Sequence, residues 1–218
     1  MWFLQSGITF EHVLIRILAI LAVVFFSLPF HEYAHAYVAN KLGDSTAKNL
    51  GLLTINPIAH FSALGAACLL FFDFGWANPV PINPQNFKKP RKDMALTALA
   101  GPCANLLAAM LGSLIINLLF KIGFLNAWLS IFLTYYIAIN VGLAVLNLIP
   151  LPGFDGYKIV QVFIPQKFLP KYYQHQPIIF IALFLLLFLG FFSGPIEFLQ
   201  RYLCGTILSI TSLPFSWF

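Results

Sequence analysis

The sequence predicts an all-α integral membrane protein, a polytopic bundle of about 4–6 membrane segments in which one segment re-enters rather than crosses. Hydrophobic residues fill 60% of the 218 positions and charged residues only 9%, where a soluble domain carries roughly 25%. Mean hydropathy is +0.87. Residues 49–72, 94–120, 122–154 and 172–196 contain no Asp, Glu, Lys or Arg. Together these observations place lipid, not water, around most of the chain.

The first apolar helix is expected over residues 12–42, with only Arg16 and Glu32 charged between 13 and 40. Gly43 serves as its C-cap and Lys41 meets the negative end of the helix dipole. Residues 1–10 lack a basic leader and a small-residue cleavage site, so this helix is expected to remain as an uncleaved signal anchor. Residues 50–76 are apolar but broken by Asn56-Pro57, Gly65, Asp73 and Gly75, and A-N-P-V-P-I-N-P follows at 77–84. That Pro-rich run cannot be a regular helix. Lys41 and Lys48 precede residues 59–72, while Lys88, Lys89, Arg91 and Lys92 follow them. Basic loops on one side favour a re-entrant or half-inserted hairpin over a full span for 59–72.

Two spans are expected next, at 94–120 and 126–149, joined by a short turn into an antiparallel helical hairpin. Pro150 and Pro152 stop the second, and Gly153 and Gly156 flank a lone acid, Asp155. By parity this acid returns to the side where the first helix ends. Residues 157–171, basic and amphipathic, belong at the cytoplasmic interface. A further span is expected over 177–192, and 196–213 either spans or lies on the surface. One membrane-embedded domain accounts for residues 1–218, with a core at 12–160 and accessory segments at 172–218.

The net charge of +5 sits in short connections, where it sets topology, and implies no nucleic-acid partner. Cys68, Cys103 and Cys204 are odd in number and lack C-x-x-C spacing, which predicts buried free thiols.

Chemistry concentrates in the pentad His31, Glu32, Tyr33, Ala34, His35. Histidines at i and i+4 share a helical face and can hold one metal ion, and the carboxylate beside the first can activate a water at that ion. A chance H-x-x-x-H is the bland reading, and an ionisable residue at membrane depth is too costly to sit there without a partner or a use. Catalytic zinc takes three protein ligands and leaves a fourth position for water. Asp155 is the best third ligand because it stands at a helix end on the matching side, in a Gly/Pro frame; Asp73 is the runner-up.

Four blocks in this order resemble the site-2 proteases, intramembrane zinc metalloproteases. They are H-E-Y-A-H-A-Y-V-A-N-K-L-G-D at 31–44, G-W-A-N-P-V-P-I-N-P at 75–84, A-G-P-C-A-N at 100–105 and N-L-I-P-L-P-G-F-D-G at 147–156. The likeness is to the compact bacterial type without PDZ or CBS domains, and the connection at 77–93 is too short to fold as either. It implies one Zn2+ held by His31, His35 and Asp155, with Glu32 as acid and base activating the zinc-bound water. It implies tentative substrate or oxyanion roles for Asn105 and Asn147, each of which also reads as an interhelical hydrogen-bonding residue. His60 stands where that type carries N-P-x-x-H-x-D-P-x-G, but Ser62 and Ala63 replace the Asp-Pro here.

The substrate so implied is a transmembrane or membrane-anchored protein, cut in a bacterial inner membrane with the active site towards the cytoplasm. A zinc-binding scaffold of the same fold without activity is the alternative. A prenyl-protein protease would need a glutamate as third ligand, and Glu197 sits in no matching motif. A substrate helix must unwind into an extended strand before its peptide bonds can be reached, and the Pro-rich run suits the edge or lid of that strand. Pro79→Ala or Pro81→Ala is therefore expected to change turnover while zinc content stays at the wild-type level, both measured on purified protein.

Overall fold

The computed structural model describes residues 9–72 and 75–216. Asp73, the runner-up ligand, lies outside them. Among the described residues the regular elements are all helical. The chain opens with α1 (Phe10–Ala22), a π turn (Val23–Ser27) and α2 (Leu28–Leu42), which run as one 33-residue rod. Thr9 caps its start by accepting the His12 N–H, and Gly43, at φ 114°, closes its end by donating to the Ala39 and Asn40 carbonyls.

The π turn is absent from the sequence expectation of a regular helix, and Pro29 explains it. Proline has no N–H to return to the carbonyl four residues earlier, and its ring crowds that carbonyl, so the turn before it widens. The widened turn sits immediately upstream of His31.

Short helices α3 (Thr46–Asn49) and α4 (Pro57–His60) lead into α5 (Ala63–Phe72). At ten residues α5 is about 15 Å long, half of a hydrocarbon core of roughly 30 Å. The chain then returns extended, and the Asn78 N–H donates to the His60 carbonyl at 2.8 Å. Entry and exit are thus level with each other, as the re-entrant reading expects.

Two long helices follow, α6 (Pro90–Lys121) and α7 (Ala127–Asn147), the latter capped by Asn126 accepting the Leu129 N–H at 2.8 Å. They pack as the expected hairpin, with α2 laid across α6 and α1 along α7. After α7 come α8 (Asp155–Val160), α9 (Leu169–Gln174), α10 (Gln176–Phe188) and α11 (Ser193–Ser216).

One apolar cluster joins Ile20, Val23, Val24, Leu28, Leu69, Ala77 and Leu143, tying the first rod to α5 and α7. A second joins Ala109, Ile137, Val141, Val145 and Ile207, tying α6 and α7 to α11. Many large apolar residues, Leu107, Leu111, Leu118 and Phe184 among them, remain exposed on the outer faces. In a bundle solvated by lipid that costs nothing.

Among the described residues three helical stretches are long and apolar enough to cross a membrane: Phe10–Leu42, Pro90–Lys121 and Ala127–Asn147. The span expected over 177–192 is corrected: α10 has 13 residues, about 20 Å, and ends in turns before Ser193. The expectation of buried thiols is also corrected, since Cys103 is exposed and Cys68 and Cys204 are half-buried, though all three are free. Apolar surroundings in this chain include lipid, so an apolar run does not imply an interior position.

Helix α11 joins the bundle through polar contacts as well as through Ile207. Ser113 Oγ and Thr211 Oγ1 lie 2.6 Å apart, Asn117 Nδ2 donates to Thr211 Oγ1 at 3.1 Å, and Gln200 Nε2 donates to the Ala138 carbonyl at 2.9 Å. Replacing Thr211 by Val removes the buried hydroxyl that links two helices. It is expected to destabilise the bundle by about 1 kcal/mol, read from the midpoint of unfolding in mixed micelles.

Candidate metal centre

Helix α2 presents His31 and His35 one turn apart on the face that packs against α6. Asp155, the first residue of α8, reaches the same point although it lies 120 positions after His35 in the chain. His31 Nε2 and His35 Nε2 are 3.0 Å apart, and Asp155 Oδ2 stands 3.3 Å from the first and 3.1 Å from the second. All three residues are buried. Donors about 2.0–2.1 Å from a tetrahedral ion are separated by about 3.3 Å, so this triangle has the edge lengths that zinc requires.

The donor set fits as well as the distances. His35 Nδ1 lies 2.7 Å from the Thr97 carbonyl, which can only accept; Nδ1 therefore carries the proton and Nε2 turns a lone pair inward. Asp155 Oδ1 is engaged by Lys158 Nζ at 3.2 Å, which leaves Oδ2 for the triangle. A metal ion can be held by this trio.

Helix α6 forms the floor. Thr97, Gly101 and Asn105 follow one another at intervals of four on its buried side. A Cβ on Gly101 would stand 2.3 Å from His35 Nε2 and 2.5 Å from His31 Nε2, so only a residue without a side chain lets α6 approach the imidazoles. The second element of the A-G-P block is thus a steric requirement of the site.

Glu32, buried beside His31, accepts a hydrogen bond through Oε2 from the Val80 N–H at 2.9 Å. The Pro-rich run therefore lies directly over the site. Its Val80 side chain packs with Ala36 of α2 and Ala47 of α3.

The remaining expected residues occupy less central positions. Asn105 is completely buried one turn beyond Gly101, and neither of its side-chain atoms has a hydrogen-bond partner among the described residues. Asn147, half-buried at the end of α7, donates through Nδ2 to the Leu143 carbonyl of its own helix at 3.0 Å. His60 is buried with Nε2 3.0 Å from the Thr54 carbonyl, and its backbone carbonyl holds Asn78. It does not join the trio. Glu197 pairs with Arg201 on α11 at 3.0 Å, away from the histidines.

Sequence reasoning missed several supports. Thr97 contributes through its carbonyl, which no side-chain motif reveals, although it precedes Gly101 by one helical turn. Lys158 lies three residues after Asp155, a spacing that could have suggested the ion pair. Arg91, near the start of α6, donates through Nη2 to the Gln161 and Val162 carbonyls at 2.6 and 2.9 Å and also to the Ile164 carbonyl. It grips the far end of α8 and so fixes the helix that carries Asp155.

The zinc metalloprotease named YwhC in Bacillus subtilis, a name given by assignment, is 41% identical over 78% of this chain and 79% of its own length. The chain belongs to the site-2 protease family. Other relatives of this site-2 protease carry the same kind of assigned name. Rip2 of Mycolicibacterium smegmatis is 30% identical over 60% of the chain, which spans about half of that relative's length (51%). MJ0611 of Methanocaldococcus jannaschii is 32% identical over 61% of the chain and 63% of its own length. No family profile matches the chain, and no solved structure matches it. By kind the protein is a membrane metalloprotease.

The close approach of α6 generates a direct test of the centre. Gly101→Ala is expected to weaken zinc binding by roughly tenfold or more while leaving the helical content unchanged, as measured by metal titration and circular dichroism.

Proposed function

We propose that this protein is an intramembrane zinc metalloprotease that hydrolyses peptide bonds within or next to the transmembrane segments of membrane proteins. The observation that carries this reading is the triangle of His31 Nε2, His35 Nε2 and Asp155 Oδ2, buried and adjoined by the Glu32 carboxylate. One zinc ion bound there would supply Lewis acidity towards water and the scissile carbonyl.

Glu32 takes the proton from the attacking water as its oxygen bonds to the carbonyl carbon. It then delivers that proton to the amine nitrogen as the C–N bond breaks. Holding Oε2 on the Val80 N–H restrains the carboxylate and leaves Oε1 for this exchange. Asn105 brings a fully buried amide without a described partner to the same face of α6, which favours a role in holding substrate backbone or the oxyanion. Asn147 and His60 serve at the rim, His60 by holding the Pro-rich run through Asn78.

Substrate enters from the bilayer. A cavity of about 960 Å3 runs between α1, α5, α7, α10 and α11, lined in part by Leu146 and by Phe154, the residue before Asp155, although none of His31, Glu32, His35 and Asp155 lines it. Its apolar walls suit a membrane segment, which must then extend against the Pro-rich run to expose its peptide bonds. Lys88 and Lys89 precede α6, Lys92 lies in its first turn, and Lys167 and Lys171 follow α8; basic residues flanking the spans at this end favour a centre facing the cytoplasm of a bacterial inner membrane. The catalytic core is 12–160, and 172–218 is accessory.

Glu32→Gln separates this reading from a zinc-binding scaffold of the same fold. Cleavage of a model transmembrane substrate in detergent is expected to fall by roughly 100- to 10,000-fold with zinc content unchanged. Equal substrate decay in both proteins, with zinc bound, establishes the scaffold instead.

A further inference from the structure

Asp44 stands apart from the trio and from Glu32, yet it is among the most completely buried polar residues of the protein, at 1% exposure. It follows the Gly43 cap of the metal helix. Its Oδ1 accepts from the Thr46 N–H at 3.1 Å, from the Thr46 hydroxyl and from Asn86 Nδ2 at 2.8 Å, and its Oδ2 accepts from the Asn83 N–H at 2.7 Å. Burial raises the carboxyl, but the bonds from Thr46, Asn86 and Asn83 outweigh it and lower it below the usual range. A charge-assisted network of four donors is stronger than neutral bonds and costly to leave half made.

One of those donors, Asn83, belongs to the segment that covers the site, and Asn86 lies in the turn that directly follows it. Asn83 lies three residues after Val80, whose N–H holds Glu32. Only Pro81 and Ile82 intervene, with Pro84 following, so the backbone between the two contacts has few alternative conformations. Val80 itself is wedged against Ala36 and Ala47 on either side of Asp44 in the chain. The metal helix and the cover over its glutamate are therefore joined at two carboxylates, Glu32 itself and Asp44 just beyond the helix end.

We propose that Asp44 is a positioning residue for Glu32: it anchors the Pro-rich run to the end of α2 and thereby sets where the Val80 N–H holds the Glu32 carboxylate. The inference rests on Glu32 being the acid and base of the reaction. Loss of the anchor lets the run slacken, and the carboxylate loses its fixed orientation towards the reacting atoms. Misplacement of that kind slows the chemical step far more than it weakens substrate binding.

The test compares wild type with Asp44→Ala, Asp44→Asn and Asn86→Ala, using zinc content, kcat and KM on a model transmembrane substrate, and hydrogen exchange at residues 77–87. Asp44→Ala is expected to retain zinc, to accelerate exchange at the Val80 amide, and to lower kcat by roughly 10- to 100-fold with KM changed by less than about threefold. Asp44→Asn, which keeps an acceptor but loses the charge, is expected to recover part of kcat. If Asp44→Ala does not fold, Asn86→Ala carries the test, with the same direction and a smaller effect. Unchanged kcat, or a fall in kcat with Val80 exchange unchanged, overturns the inference while leaving the role of Glu32 intact. A fully active Glu32→Gln removes both.

Discussion

Three lone-pair-bearing atoms, two imidazole nitrogens and a carboxylate oxygen, converge within about 3 Å of one another inside a lipid-solvated bundle, and the rest of the structure is arranged to make that tolerable. Polar groups at such depth are expensive unless they are mutually satisfied or used. Two of the three are accordingly held from behind, His35 by the Thr97 carbonyl and Asp155 by Lys158, and the neighbouring Glu32 is held by the Val80 N–H, while His31 Nδ1 has no hydrogen-bond partner among the described residues. The gap in α6 at Gly101 lets these groups meet while the backbone beneath them stays helical. A second layer of this kind fixes tautomer and orientation, which the donor atoms alone cannot do.

The same constraint explains where irregular backbone occurs. Non-helical chain at membrane depth survives only when protein groups satisfy it. The Pro-rich run meets that condition by donating its N–H groups at Asn78, Val80 and Asn83 to His60, Glu32 and Asp44 in turn. Its prolines also lower the number of N–H groups needing partners. A segment built this way is both cheap to bury and stiff.

Lipid as solvent also changes how apolar patterning should be read. In water apolar residues gather inside, whereas here they occupy both sides: Ile20, Val23, Leu69 and Val141 pack inside together with Ser113, Asn105, Asn140 and Thr211, and leucine and phenylalanine also cover the outward faces. Small and polar residues mediate the helix contacts because they allow close approach and hydrogen bonding, which lipid cannot offer. An exterior that is itself apolar is why Cys103 is exposed despite its apolar neighbours and why α10, apolar on all sides, packs so little of itself against the bundle.

The residues themselves determined the helical membrane class, the hairpin of α6 and α7, the return of the chain to one side after α5, and the candidacy of His31, Glu32, His35 and Asp155. Each of these depends on hydropathy, charge distribution or local spacing, which are properties of short stretches of chain. The π turn before the metal helix was in principle legible too, from Pro29, but a proline in an apolar helix signals only that some adjustment occurs. The tertiary structure alone decided that an acid 120 positions beyond His35 closes the triangle with the observed edges, that Val80 and Asp44 hold the cover over Glu32, and that Arg91 grips the far end of α8. Those are contacts made by backbone groups or by residues far apart in the chain. Their energies depend on how helices cross, and crossing is fixed by the whole packed bundle rather than by any one segment.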